Sequence, residues 1–291
     1  MAVWDFPAIG TRWQIESERE LTASERTEVR EIVESFDHEW SRFRDDGPIA
    51  ALARAGGAVA RPADAAEMLD AYRDLSDATS GAVNPLVGES LQALGYDAAY
   101  SLVAGIPIGA PENWRDVLDW TGDELTLTHP AVIDVGALGK GRLVDLVHAA
   151  LGRVPGDLTV DAGGDMLVRG QARVGLEHPF DSSRAIGIAT IRDQALCASA
   201  VNRRAWGDGL HHVLDARTGA PVRTWAATWA IADDAMHADA VATALFFDGG
   251  PELAARWGIE WIRMSTDGRA QRSPGCPVEL FTAARVREDR P

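Results

Sequence analysis

Part-way along this chain the apolar residues change their spacing, and that change limits the fold classes open to it. Val29, Ile32, Val33, Phe36 and Trp40 recur at helical intervals behind a capping pair, Thr22 and Glu25. A helix over about 23–43 is predicted. Ala65, Met68, Leu69, Tyr72 and Leu75 mark a second helix over about 64–79, with Gly81 as its stop. Ile9–Ile15 reads as a turn feeding a strand. Residues 44–61 are polar and then rich in Ala and Gly, and 82–115 read as loop with short helical turns. From Glu124 short apolar runs take over. Leu125–Thr128 and Ala131–Asp134 read as strands about a His129-Pro130 turn. So do Leu158–Asp161, Met166–Gly170, Ile186–Ile191, Leu196–Ser199, His212–Leu214, Thr228–Ile231, Ile259–Met264 and Val278–Phe281. Two helices interrupt them. One is opened by Gly136, Gly139 and Gly141 and closed by Gly152; the other spans about 236–247 and ends at Gly249-Gly250. Early helices followed by strands with interspersed helices predict an α+β fold. At 291 residues the chain is one large domain or two small ones.

Charge narrows the partners. Lys+Arg is 28 and Asp+Glu is 44, a net charge of −16. Nucleic acid and anionic membrane both call for a cationic face, so neither is expected as the main partner. Apolar runs such as 240–247 fall far short of the ~18 residues a membrane span needs. The opening residues lack a basic and then apolar leader, and a cytoplasmic protein is expected. Two cysteines, Cys197 and Cys276, are too few for a disulfide framework. Among the 28 basic residues only Lys140 is lysine. Coding bias toward arginine explains the ratio. A lysine surviving inside a glycine-rich turn also suits a site where a guanidinium fork does not fit.

Four segments could carry chemistry. Asp134 to Asp145, DVGALGKGRLVD, runs a strand through a glycine-rich turn into a helix. Such a turn offers backbone N–H groups and a positive helix end to a phosphate, or is simply a tight connection. Asp161-Ala162-Gly163-Gly164-Asp165 sets two carboxylates about a Gly-Gly corner, which suits close ligand approach or a plain β-turn. His211 to Pro221 places adjacent histidines on opposite strand faces before an Asp-x-x-Thr-Gly turn, where Asp215 can cap its own turn. A histidine beside a phosphate anhydride could move a proton. Asp239 and Thr243 lie one helical turn apart, half of an oxygen site for Mg²⁺; alternatively Thr243 back-bonds to Asp239 and Asp239 is a helix-start charge.

Together, and in this order, these segments resemble the ApbE family of flavin transferases. Ile9-Gly10-Thr11 matches its Met-Gly-Thr start. Asp134–Asp145 matches its Asp-x-Gly…Lys-Gly element, and Asp161–Asp165 its Ala-Gly-Gly-Asp element. Ser199–Arg204 matches its Ser-Gly-x-x-Arg-Arg stretch, His212–Pro221 its His-x-x-Asp element, and Ala238–Ala244 its Ala-Asp-Ala helix. The resemblance implies an α+β domain of mixed or antiparallel sheets with flanking helices and a T-fold-like core. It would occupy residues 1–291 as one domain, or as two interleaved subdomains with a FAD cleft between them. It implies a Mg²⁺-dependent FAD:protein FMN transferase, which attaches FMN to an acceptor threonine and releases AMP.

Carried over residue by residue, the resemblance makes Asp239, Thr243 and the Ala137 carbonyl the metal ligands. His212 becomes the proton-transfer residue. Lys140 faces the nucleotide, and Asp134, Phe43 and Ala82-Val83-Asn84 line the FAD cleft. Ile9 and Val213 pack on the flavin, and Arg204 orients it. The chain departs from the pattern at Ile9 (usually Met), Asn84 (often Asp), Ala198 and Ala200 (Thr and Gly) and Ala216 (Pro). None of these removes a metal ligand, Lys140 or His212. An FAD pyrophosphatase and a non-catalytic FAD-binding protein are the competing expectations.

Overall fold

The structure is a computed structural model and describes residues 1–281. Strands β1 (Ala2–Ala8) and β2 (Thr11–Ser17) open it, joined at Ile9-Gly10. Helix α1 (Ala23–Trp40) starts at Thr22, whose hydroxyl accepts the Glu25 N–H while the Glu25 carboxylate accepts the Thr22 N–H, the expected capping box. There follow α2 (Pro48–Ala55), β3 (Gly57–Ala60), α3 (Ala65–Ala78), α4 (Gly88–Ala93), the single turn α5 (Trp114–Val117), β4 (Leu118–Asp119) and β5 (Glu124–Leu127). Helix α6 (Gly139–Ala150) leads to β6 (Leu158–Asp161), β7 (Asp165–Arg169), β8 (Gln171–His178), β9 (Asp181–Arg192) and β10 (Ala195–Ala200). Two short ribbons come next, β11 (Ala205–Trp206) with β12 (Leu210–His211) and β13 (Leu214–Asp215) with β14 (Ala220–Pro221). The chain continues through β15 (Trp225–Ala232), α7 (Ala235–Ala244), α8 (Gly250–Trp257), β16 (Glu260–Ser265), β17 (Ala270–Arg272) and β18 (Val278–Leu280).

Eight strands form the main sheet in the order β1-β2-β6-β7-β10-β15-β16-β17, with every neighbour antiparallel. This is the expected α+β architecture, and its sheets are antiparallel. β15 explains how the layers stack. All eight of its residues are buried, so both faces are covered. Ala230 and Ala232 join the core under α6 and α7, whereas Ala227, Trp229 and Ile231 join a second core closed by the β18-β9-β8 sheet. A β-bulge between Trp225 and Ala227 turns Trp225 back onto the helix side. No helix among the described residues is long and apolar enough to cross a membrane.

Several local expectations need correcting. Ala131–Asp134 is extended but joins no ladder: the Gly88 N–H donates to the Val132 carbonyl and the Asp134 N–H to the Pro85 carbonyl, so it is laced to a loop. Of His212–Leu214 only Leu214 is strand, opening β13, because the Val213 N–H folds back onto His211 Nδ1 and leaves His212 at a bend between two ribbons. Residues 44–61 contain α2 and β3, and Gly250 begins α8 instead of only ending α7. A side chain on Gly250 would collide with the Ala244 carbonyl, so glycine lets the two helices turn on each other. Strands β1, β8 and β17 fall outside the expected set, although Ala172, Val174 and Leu176 of β8 take alternate positions.

Candidate active site

The site is built where α6 and α7 cross. Gly141 permits the crossing, since a Cβ there would collide with the Ala235 carbonyl oxygen and lie 2.8 Å from Asp239 Cβ. Asp145, one turn further along α6, accepts the Ala235 and Met236 N–H groups at 2.7 and 2.9 Å and so caps α7. Burial lifts its carboxyl to about 6. Asp239 is therefore not a helix-start charge: Asp234 and Asp145 fill that role, and Asp239 lies inside α7 at 2% exposure. Its Oδ2 accepts the Gly141 N–H at 3.0 Å. Burial pushes its carboxyl up, against the pull of Lys140 and that N–H.

The three oxygens expected to hold a cation belong to Asp239 and Thr243 on α7 and to Ala137 just before α6. The Gly141 N–H is drawn to Asp239, and the Ala137 carbonyl one turn back accepts no hydrogen bond among the described residues. The Thr243 hydroxyl also makes none there, so the back-bond to Asp239 is absent. Among the described residues no group of three or more His, Cys, Asp or Glu is placed to hold a metal. A mixed set of one carboxylate, one hydroxyl and one carbonyl suits Mg²⁺, which keeps waters and takes substrate phosphate oxygens. Lys140 stands beside the set. Its ammonium donates to Asp165 Oδ2 and lies 3.8 Å from Asp239 Oδ2.

His212 meets the same field. Burial pushes its imidazole down to about 3, helped by Arg204, His211 and Lys140, so the ring is neutral near neutral pH. Its Nδ1 is enclosed without a hydrogen-bond partner. His211 is structural: Nε2 bonds the Val222 carbonyl at 2.9 Å and Nδ1 takes the Val213 N–H. Val213 is buried beside it. Arg204 donates to the Tyr96 hydroxyl at 2.8 Å.

Asp134 is held by its own chain and by Arg42, two residues past the end of α1. Its Oδ2 accepts Arg42 Nε at 2.5 Å and its Oδ1 the Gly136 N–H at 2.8 Å. Arg42 also donates to the Tyr96 carbonyl and lies over the Phe43 ring, 4.2 Å from its centroid. Phe43 stacks on Tyr100 at 5.2 Å, and the Tyr100 hydroxyl reaches toward Gly10 of the Ile9-Gly10 turn. Ile9 itself has φ +41°, a left-handed conformation costly for a β-branched residue. Ala82, Val83 and Asn84 are buried. The Ala82 carbonyl accepts the Ala216 N–H, while Asn84 spends its side chain on the Pro111 carbonyl and the Leu86 N–H. The sequence marks neither Arg42 nor Tyr72 as a site residue, and it marks Asp165 only as a carboxylate of the Gly-Gly corner, without a partner. Tyr72 donates to the Asp134 carbonyl and accepts the Ala137 N–H. It reads simply as one more apolar helix position, and only its hydroxyl shows the difference. No pattern marks Arg42 apart from other charged residues.

Comparison with known proteins follows the same lines. Residues 9–262 match the family model described as the ApbE family. A FAD:protein FMN transferase of Rhodobacter capsulatus is 30% identical over 266 residues, covering 84% of this chain and 50% of the relative. The chain thus spans about half the length of that curated relative. Among solved structures, the ApbE protein of Thermotoga maritima gives a TM-score of 0.80 at 20% identity, covering 94% of this chain and 96% of that one. The flavin transferase ApbE of Vibrio cholerae gives 0.77 at 21% identity, covering 94% and 96%. The Pseudomonas stutzeri flavinyl transferase ApbE, in its apo form, gives 0.78 at 20% identity, covering 94% of each chain. At these identities the structural likeness speaks for the fold alone. The family match runs over most of the chain and takes in Gly141, Lys140, His212 and Asp239, and by it this chain belongs to the ApbE family.

Proposed function

We propose that this protein transfers FMN from FAD to a threonine hydroxyl of an acceptor protein, releasing AMP, with Mg²⁺ as its cofactor. The observation that carries the reading is the α6–α7 crossing, where the buried Asp239 carboxylate takes the Gly141 N–H and lies 3.8 Å from the Lys140 ammonium, whose charge also acts on the neutral His212. Residues 1–291 act as one transferase domain, its FAD cleft between interleaved subdomains. The Ala82–Ala216 and Tyr96–Arg204 hydrogen bonds join the early and late parts of the chain.

The metal, held by Asp239, Thr243 and the Ala137 carbonyl, would supply Lewis acidity at the pyrophosphate. Lys140 sets an ammonium against the same phosphates. His212 Nε2 takes the proton from the acceptor threonine as its oxygen bonds to the flavin-side phosphorus. The bond from that phosphorus to the bridging oxygen breaks, and AMP leaves. Phe43, Tyr96, Tyr100, Ile9 and Val213 supply apolar and aromatic surface about the cleft for the flavin.

The test is an assay with FAD and Mg²⁺ that follows AMP and FMN separately, with a domain carrying an acceptor threonine. AMP release with FMN retained on the acceptor is expected. AMP with only free FMN, water replacing the threonine, would make the protein a pyrophosphatase. FAD bound with neither product would make it a flavin carrier.

A further inference from the structure

One buried carboxylate has no part in the mechanism above. Asp165 opens β7 directly after the Gly163-Gly164 corner and is 1% exposed. Its Oδ1 accepts the Ala198 N–H at 3.3 Å, but that N–H already donates to the Gly164 carbonyl at 3.0 Å. The sheet therefore does not need this carboxylate. Its Oδ2 holds the Lys140 ammonium, which stands 3.8 Å from the Asp239 carboxylate.

We propose that Asp165 is a positioning residue: the fixed counterion that keeps Lys140 off Asp239, leaving Asp239 free to take a divalent cation. The inference rests on the reading of Asp239 as a cation ligand. Without Asp165 the ammonium would have Asp239 as its nearest carboxylate, and the ion pair formed would have to break before a cation could bind. The same geometry explains the lone lysine. An ammonium is a point donor that one carboxylate can claim, whereas a guanidinium fork at 140 could bridge Asp165 and Asp239 together and close the site. Arginine fills the other 27 basic positions of the chain.

The test measures Mn²⁺ uptake by the full chain without FAD, using the free-ion electron paramagnetic resonance signal. Wild type is expected to bind. Asp165→Asn should weaken binding about 10–100-fold. Lys140→Met in the Asp165→Asn background should return it toward wild type, a rescue that general loss of structure would not show. Lys140→Arg, which keeps the charge, should weaken binding too, and it decides the matter if Asp165→Asn does not fold. Unchanged binding in Asp165→Asn, no rescue by Lys140→Met, or unchanged binding in Lys140→Arg overturns the inference. If wild type takes up no Mn²⁺, the cation reading of Asp239 fails and this inference falls with it.

Discussion

Burial and two neighbouring cations keep His212 unprotonated, and this sets how its removal and its pH profile should look. His212→Ala is expected to lower the rate of AMP release about 10²–10⁴-fold while FAD affinity holds. Steady-state rates alongside FAD titration separate the two, and a loss of affinity at normal turnover would make His212 a binding residue. Because the imidazole is held down at about 3, acid does not protonate it across the usual imidazole range. The His212 imidazole nitrogen shifts, followed by NMR, should therefore show no titration near pH 6.5. An inflection there would mean that the ring is solvated. Arg42 acts through structure. It forms a buried ion pair with Asp134, with side-chain exposures of 3% and 15%. Arg42→Met strands the Asp134 carboxylate and is expected to cost about 3–5 kcal/mol in urea unfolding. A cost under 1 kcal/mol would mean that water reaches Asp134.

At the scale of elements, the site depends on how closely α6 and α7 approach. α7 is built largely of alanine, and Gly141 faces it from α6, so two backbones meet where side chains would hold them apart. Gly141→Ala forces that contact open. The expected cost is about 1–3 kcal/mol of stability from overpacking. Turnover should fall further than stability predicts, because the Gly141 N–H no longer meets Asp239. Comparing melting with FAD turnover in this variant checks both; normal turnover in a destabilised protein would separate the crossing from the chemistry. The capping box of α1, the apolar stripe of α3 and the glycine-rich entry to α6 were all legible in the sequence, because each is settled within a few residues. The ribbons around His212 were not. Their hydrogen bonds join residues such as Ala205 and His211, and a ring nitrogen of His211 bends the chain.

Over the whole molecule, the proposed FAD cleft draws on segments far apart in sequence, and a ligand in it should clasp them. A ligand at 100 times its Kd adds about 2.7 kcal/mol to stability. FAD with Mg²⁺ is expected to raise the melting temperature more than FAD alone. Asp239→Ala should lose the metal-dependent part of that shift while keeping the FAD-only part. A shift indifferent to Mg²⁺ in wild type would move the metal away from Asp239.

The motif order along the chain, by itself, determined the family and the α+β class. Those are properties of local pattern: a Gly-rich turn, an Asp and a Thr one helical turn apart, a histidine before a tight turn. Only the tertiary structure decided which charges are partners. Asp134 belongs to Arg42, 92 residues away. Lys140 belongs to Asp165, and the Gly141 N–H to Asp239, 98 residues on. Pairing across such distances depends on burial and on which helices and strands pack together. Coulomb attraction becomes selective only once water is excluded, and no spacing rule along the sequence encodes that.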